Sequence, residues 1–184
     1  MVEKLWRAGA LTLLVGAIAV AVPETAWSAS ARELNRDGAA ALKTLRQRNI
    51  AAEKLAGSAK GILVFPNILK AGFLFGGQIG EGVLLKPKGR SYYNSVAASY
   101  GLQAGIQGFG YALFFMDDES LRDFESSAGF EIGVGPSIVV VDEGFGKSLT
   151  TTTVRTGIYA FIFDQKGLMA GIGLQGSKIT RISK

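Results

Sequence analysis

The segment that follows residue 30 has apolar residues at helical spacing. Between Ala31 and about Arg48, a rotation of about 100° per residue places four basic side chains in one stripe roughly 80° wide, with leucine and alanine mostly on the other side. This pattern predicts an amphipathic helix closed by Asn49. A second short helix is predicted from Ala51 to Ala56, ending at Gly57. The basic stripe consists of Arg32, Arg36, Lys43 and Arg46.

Between Lys60 and Asp117 the pattern changes to β-branched and aromatic runs that glycine interrupts. These runs predict consecutive strands, with Pro87, Lys88 and Gly89 at the turn between the second and the third run. The three runs are KGILVFP, KAGFLFGGQIGEGVLL and RSYYNSVAASYGLQAGIQGFGYALFFM.

A third helix and a second group of strands are predicted for the rest of the chain. Asp117–Phe124 has acidic residues in its first turn and apolar residues three positions apart, which predicts a short helix that Gly129 ends. Strands resume with GFEIGVGPSIVVV, LTTTTVRTGIYAFIF and GLMAGIGLQGSKITRI, about six strands in all. Both faces of Ile158–Phe163 are apolar, as in a strand that is covered on two sides.

Glycine makes up 25 of the 184 residues, about twice its usual share, and much of it lies inside predicted strands. Strand glycine costs stability unless backbones approach closely or the sheet bends. We therefore predict an α+β fold dominated by a strongly curved antiparallel sheet, barrel-like or a sandwich. N-terminal helices and one short mid-chain helix accompany the sheet. No linker-like segment interrupts it, so a single domain is expected.

The N-terminal residues have the order of a secretory signal peptide. Lys4 and Arg7 precede the uncharged stretch Ala8–Val22, and small residues follow, with cleavage expected after Ser28 or Ser30. The stretch of 15 residues is shorter than the roughly 20 that a membrane-spanning helix needs. We expect a signal peptide over residues 1–29, a domain over residues 30–184, and a periplasmic or secreted protein.

Composition excludes several kinds of chemistry. The chain has no Cys and no His, so it lacks a thiol nucleophile, an imidazole base and a Cys or His zinc site, and no lipoprotein anchor can form. No enzymatic activity, metal or cofactor is expected. The net charge of +5 favours anionic surfaces, and lipid head groups are the nearest of these outside the cytoplasm. Export disfavours nucleic acid as a partner.

Three local motifs do not support the chemistry that they suggest. The run SIVVVDEGFGKS ends like a phosphate-binding loop, but Val141 occupies the position of the required glycine, so nucleotide binding is not expected. The glycines Gly171, Gly173 and Gly176 fit a dinucleotide motif, yet too little chain follows for its helix and second strand. The acidic run Asp117–Glu119 begins a predicted helix, so capping explains it better than metal binding or acid–base catalysis.

Several glycine-rich runs follow one another along the chain, namely Lys60–Gly61, Lys70–Phe73 with Gly76, Gly80 and Gly82, GLQAGIQGFG, Gly133–Ser137, and Lys166–Gly167 with Ala170–Gly171. These runs, in this order, resemble the SYLF family. The resemblance implies a non-catalytic, lipid-binding domain with a basic amphipathic N-terminal segment, and some eukaryotic relatives also bind actin. An SH3 or FYVE module of the kind found on such relatives does not occur in this sequence, and an exported chain would meet neither phosphoinositides nor actin.

These observations predict a peripheral membrane protein of the cell envelope that binds anionic phospholipids. An alternative interpretation of the basic stripe is an ordinary solvated helix face. An alternative function is a structural or protein-interaction module that contacts an envelope protein through SYYNS and GFLFGG. The predicted lipid-binding residues are Arg32, Arg36, Lys43, Arg46, Lys60 and Lys70.

Overall fold

The computed structural model describes residues 28–73, 75–100, 105–132, 138–141, 157–167 and 176–184. Within these residues the chain forms three helices and eight strands. The helices are α1 (Ala31–Arg48), α2 (Ile50–Ala56) and α3 (Asp118–Ser126). The strands are β1 (Gly61–Phe73), β2 (Phe75–Leu85), β3 (Arg90–Tyr100), β4 (Gly105–Phe115), β5 (Phe130–Glu131), β6 (Ile138–Val141), β7 (Ile158–Gly167) and β8 (Lys178–Ile182).

The eight strands form one sheet in the order β5-β8-β3-β2-β1-β4-β7-β6. Neighbouring strands are antiparallel except β6 and β7, which are parallel, so the sheet is mixed rather than purely antiparallel. The β-dominated α+β class is confirmed. The expected count of six strands is too low, partly because the third predicted run contains both β3 and β4.

The first strand continues through Pro66, where the sequence suggested a break between two runs. A register shift between Val64 and Asn67 marks a bulge, which accommodates a proline that cannot donate to the ladder. The pairing of β1 with β2 instead continues as far as Phe73 and Phe75.

Glycines in β2 permit the strong curvature. A Cβ at Gly80 or Gly82 would lie 2.7 Å from a backbone oxygen of β1, and also against the side chains of Ile68 and Phe65. Bulky residues of β1 therefore lie over β2 where no side chain opposes them. The predicted curved sheet is confirmed.

The two faces of the sheet have separate cores. The concave face holds the larger cluster, where Leu121 and Phe124 of α3 pack against strand residues such as Tyr111 and Phe115. The convex face packs against α1 and α2, with Leu45 among the contacting residues. Successive residues of β7 enter the two cores alternately, which confirms that this strand is covered on both sides.

Local capping sets where the helices begin. Ser30 and Glu33 form a reciprocal capping box at α1. Asp117 caps α3, accepting hydrogen bonds from the backbone N–H of Ser120 at 2.7 Å and of Gly157 at 2.6 Å. Burial alone would raise the pKa of Asp117, but these backbone donors outweigh it and lower the pKa. Capping by this acidic run is confirmed, although α3 ends at Ser126 rather than at Gly129.

Several predictions concern residues outside the described part of the chain. These are the signal peptide up to residue 27, the GVGPS motif, the phosphate-loop-like segment after Val141, the LTTTTV run, and Gly171 with Gly173.

Candidate functional site

Helix α1 crosses the strands on the convex face of the sheet. Near its start, the Asn35 amide donates to the Tyr92 hydroxyl of β3 at 3.0 Å, and near its end Arg48 forms an ion pair with Asp164 of β7 at 3.0 Å. Between these points Gly38 packs directly onto Val83 of β2. The helix thereby reaches from β3 to β7 and turns its polar side outward.

The outward side of α1 carries the four predicted basic residues. Arg32 and Lys43 are exposed. Arg36 pairs with its neighbour Asp37 at 2.7 Å, and this hydrogen bond raises the pKa of the Arg36 guanidinium. Arg46 pairs with Glu53 of α2 at 2.8 Å, with the same effect on the pKa of Arg46. The four residues thus share one surface, where acids offset two of the charges.

Lys60 and Lys70 lie away from this surface. Lys60 precedes β1 and its ammonium is 3.9 Å from Asp118 of α3. Lys70 is only 7% exposed and lies on the concave face, opposite α1. There it is paired in register with Gln78 and Gln107, both buried, and the Gln78 amide donates to the Ser177 hydroxyl at 2.8 Å. In this arrangement Lys70 does not face the surface that α1 presents.

A cavity of about 390 Å³ lies beside the start of α1. Its apolar walls are Leu34, Leu69 and Ile79, together with polar groups that include Asn94. Glu81 lies at its border, where its two oxygens accept from the Ala29 N–H at 2.9 Å and pair with the Lys184 ammonium at 2.8 Å. The lysine compensates the acidic charge at the border of the cavity.

From the cavity walls Leu69 and Ile79 onward, the convex face continues without a covering helix among the described residues. We call this part the open strip. Ile79 is 49%, Val96 45% and Ile106 66% exposed. The sequence alone does not reveal this surface, because apolar residues alternate there as they do in the covered part of the same strands. The open strip consists of Leu69, Ala71, Ile79, Val96, Ala98 and Ile106.

Two other kinds of site are absent from the described residues. No group of three or more acidic side chains there is arranged to hold a metal ion. No helix in that part of the chain is long and apolar enough to cross a membrane.

The fold and these surfaces define a small α+β domain that presents a broad basic and apolar face. Residues 96–184 match the family model Ysc84, described as "Las17-binding protein actin regulator". This family is also called SYLF, and the match confirms the resemblance deduced from the glycine-rich runs.

The chain is similar to two proteins of Saccharomyces cerevisiae. It is 30% identical over 129 residues both to Protein YSC84 and to LAS seventeen-binding protein 3. The alignment covers 66% of this chain, but only 27% of Protein YSC84 and 28% of LAS seventeen-binding protein 3. The chain therefore spans about a quarter of the length of these relatives.

Proposed function

We propose that this protein is an exported, non-catalytic domain that binds anionic phospholipid membranes through the outward face of α1. The observation that carries the proposal is the placement of Arg32, Arg36, Lys43 and Arg46 on one side of a helix whose other side is held by the sheet. A helix fixed in this way lies with its basic side chains accessible to a flat surface.

The charge of the helical region supports the proposal. α1 and α2 together contain six basic and three acidic residues. A juxtamembrane Lys or Arg contributes roughly 1 kcal/mol of attraction to an anionic surface, and salt weakens this attraction. A net excess of three charges is therefore enough for reversible docking but not for permanent attachment.

Vesicle flotation tests the proposal. The processed protein should float with vesicles made of equal parts of phosphatidylcholine and phosphatidylglycerol, and not with pure phosphatidylcholine. The double variant Arg32→Glu, Lys43→Glu should bind markedly less, because both side chains are exposed. The double variant Lys88→Glu, Arg90→Glu, at exposed residues near the turn between β2 and β3, changes the net charge equally and should bind like wild type. Equal binding to both vesicles, or none, contradicts the proposal.

Export is tested on the same material. The protein recovered from the periplasm or medium of the producing cell should begin near residue 29 or 31 by intact mass. Retention in the cytoplasm with residues 1–27 attached contradicts export and leaves the membrane proposal to the vesicle experiment.

A second candidate function is a protein-interaction module of the cell envelope. It is favoured by the family description, which names a protein partner, Las17, for its members. Crosslinking in intact cells followed by purification should then recover one abundant envelope protein. If the same envelope protein is still recovered with a variant of the open strip and with a variant of α1, neither of these surfaces is a specific interface for it.

A further inference from the structure

The open strip forms one continuous apolar surface across the centre of the sheet. Residues directly opposite each other in paired strands lie on the same face. Val96 of β3 is paired with Ile79 of β2, and Ile79 with Leu69 of β1. The next row contains Ala98, Gly77, Ala71 and Ile106. An antiparallel face in contact with water normally carries polar residues, so this composition requires another explanation.

A lysine borders the apolar part of the first row on each side. Lys178 of β8 is paired with Val96, and Lys166 of β7 is paired with Gly108, which follows Leu69 in the row. Both lysines are exposed. The apolar part of the row is therefore bordered by one lysine on each side.

The acidic residues near this surface do not oppose an anionic partner strongly. Glu81, between α1 and the strip, is paired with Lys184 at 2.8 Å, and Asp164 with Arg48 at 3.0 Å. Glu131 of β5 is paired in register with Lys178, so it lies on the same face, one strand further from the strip than this lysine. The residues that join β3 to β4 and β7 to β8, 101–104 and 168–175, contain no charged residue.

We propose that the open strip inserts into the interfacial region of an anionic bilayer, with Lys166 and Lys178 contacting lipid phosphates. Apolar side chains flanked by lysine match the order of a membrane surface, where acyl chains lie beneath anionic head groups. A second copy of this chain is a poorer occupant, because pairing two strips would bring like charges together. The inference rests on the proposed membrane function. It adds an inserted contact that anchors the domain in the bilayer, whereas α1 only attracts the domain to the bilayer surface.

Tryptophan fluorescence tests the insertion directly. The natural tryptophans are Trp6 and Trp27. With both replaced by phenylalanine in the full chain, Ile79→Trp and Ile50→Trp each provide a single reporter, whether or not the leader is removed. Ile50, at the junction of α1 and α2, is 70% exposed. It belongs to the helical region and not to the strands that form the strip. Vesicles contain equal parts of phosphatidylcholine and phosphatidylglycerol, with or without brominated acyl chains.

The emission of Ile79→Trp should shift to the blue on addition of vesicles and should be quenched by brominated lipid. Flotation without a shift or quenching at position 79 overturns the inference but leaves the proposed function standing, above all if position 50 responds instead. Absence of binding in every variant contradicts the proposed function. A blue shift that appears without vesicles and rises with protein concentration, together with a dimer in sedimentation, assigns the strip to self-association and overturns the inference.

A substitution experiment measures the contribution of the strip. Ile79→Asp with Ile106→Asp should lower vesicle partitioning by about tenfold or more, because apolar burial is lost and charge opposes the lipid. Val140→Asp, at a residue of β6 that is 58% exposed, is the matched control and should bind like wild type. Circular dichroism checks that each variant is folded. Unchanged binding of a folded double variant overturns the inference.

Discussion

The convex face of the sheet has two parts that are built by the same strands but have different surroundings. In the covered part, Ile62 and Phe114 lie under α1 and α2 and are almost inaccessible to solvent. In the open strip, Ile79 and Ile106 have the same apolar character and remain about half exposed or more. The alternation of apolar residues therefore produces strands in both parts. Only the part that α1 and α2 cover becomes core.

The largest expected effect comes from the same substitution made in both parts. Ile62→Ala should lower the free energy of unfolding by about 2–5 kcal/mol, because the side chain is only 8% exposed and its loss leaves a cavity. Ile106→Ala should change it by less than about 0.5 kcal/mol, as at most surface sites. Urea denaturation measures both. A similar loss for the two variants would mean that the open strip is also packed.

The next effect concerns how closely α1 lies on the sheet. Gly38→Ala improves helix propensity, but the new Cβ would collide with the buried Val83 side chain, so a net loss of about 1–3 kcal/mol is expected. The double variant Gly38→Ala, Val83→Ala should lose less than the sum of the two single variants. Additive losses, again from urea denaturation, would show that α1 does not press on β2 at this point.

A smaller effect is expected at the border between the two parts. Glu81→Gln keeps an acceptor for the Ala29 N–H but removes the charge that pairs with Lys184, and should cost about 1 kcal/mol in urea denaturation. Lys184→Met should then have little further effect when it is added to the Glu81→Gln variant, since the pair is already broken. If Lys184→Met lowers the free energy of unfolding as much in the Glu81→Gln variant as in the wild type, Lys184 stabilises the domain through a contact other than Glu81.

The smallest expected effect on stability lies within the open strip. Ile79→Thr should change the free energy of unfolding by no more than about 0.5 kcal/mol, because half of the side chain already contacts solvent. Its melting temperature should match that of wild type while vesicle binding falls. A strongly destabilised Ile79→Thr variant would mean that Ile79 is packed like the residues under the helices.

Local signals predicted the helices well. The bounds of α1 agree with the predicted Ala31 to Arg48, because a capping box and an amphipathic period are properties of neighbouring residues. Asp117 was recognisable as a cap for the same reason. The curvature was also predictable, since glycine inside a strand costs stability unless the sheet bends or another backbone approaches closely.

Features that depend on pairing between distant segments were not predictable. The bulge near Pro66 shifts the alternation of β1, and this shift decides that Lys70 points to the concave face. The parallel pairing of β6 with β7 has no local signature. Likewise, nothing in the sequence distinguishes Ile79 from Val83 before the position of α1 is known.

The strand order also has a consequence for how the domain folds. Strand β1 lies inside the sheet, and its neighbour β2 follows it directly, whereas the pairing of β3 with β8 joins segments from distant parts of the chain. Closing a short loop costs less entropy than closing a long one, so the β1–β2–β3 meander is expected to form first and the outer strands to be added later. In native-state hydrogen exchange, the amide protons of β1 should be the slowest to exchange, and those of β5 and β6 the fastest among the strands.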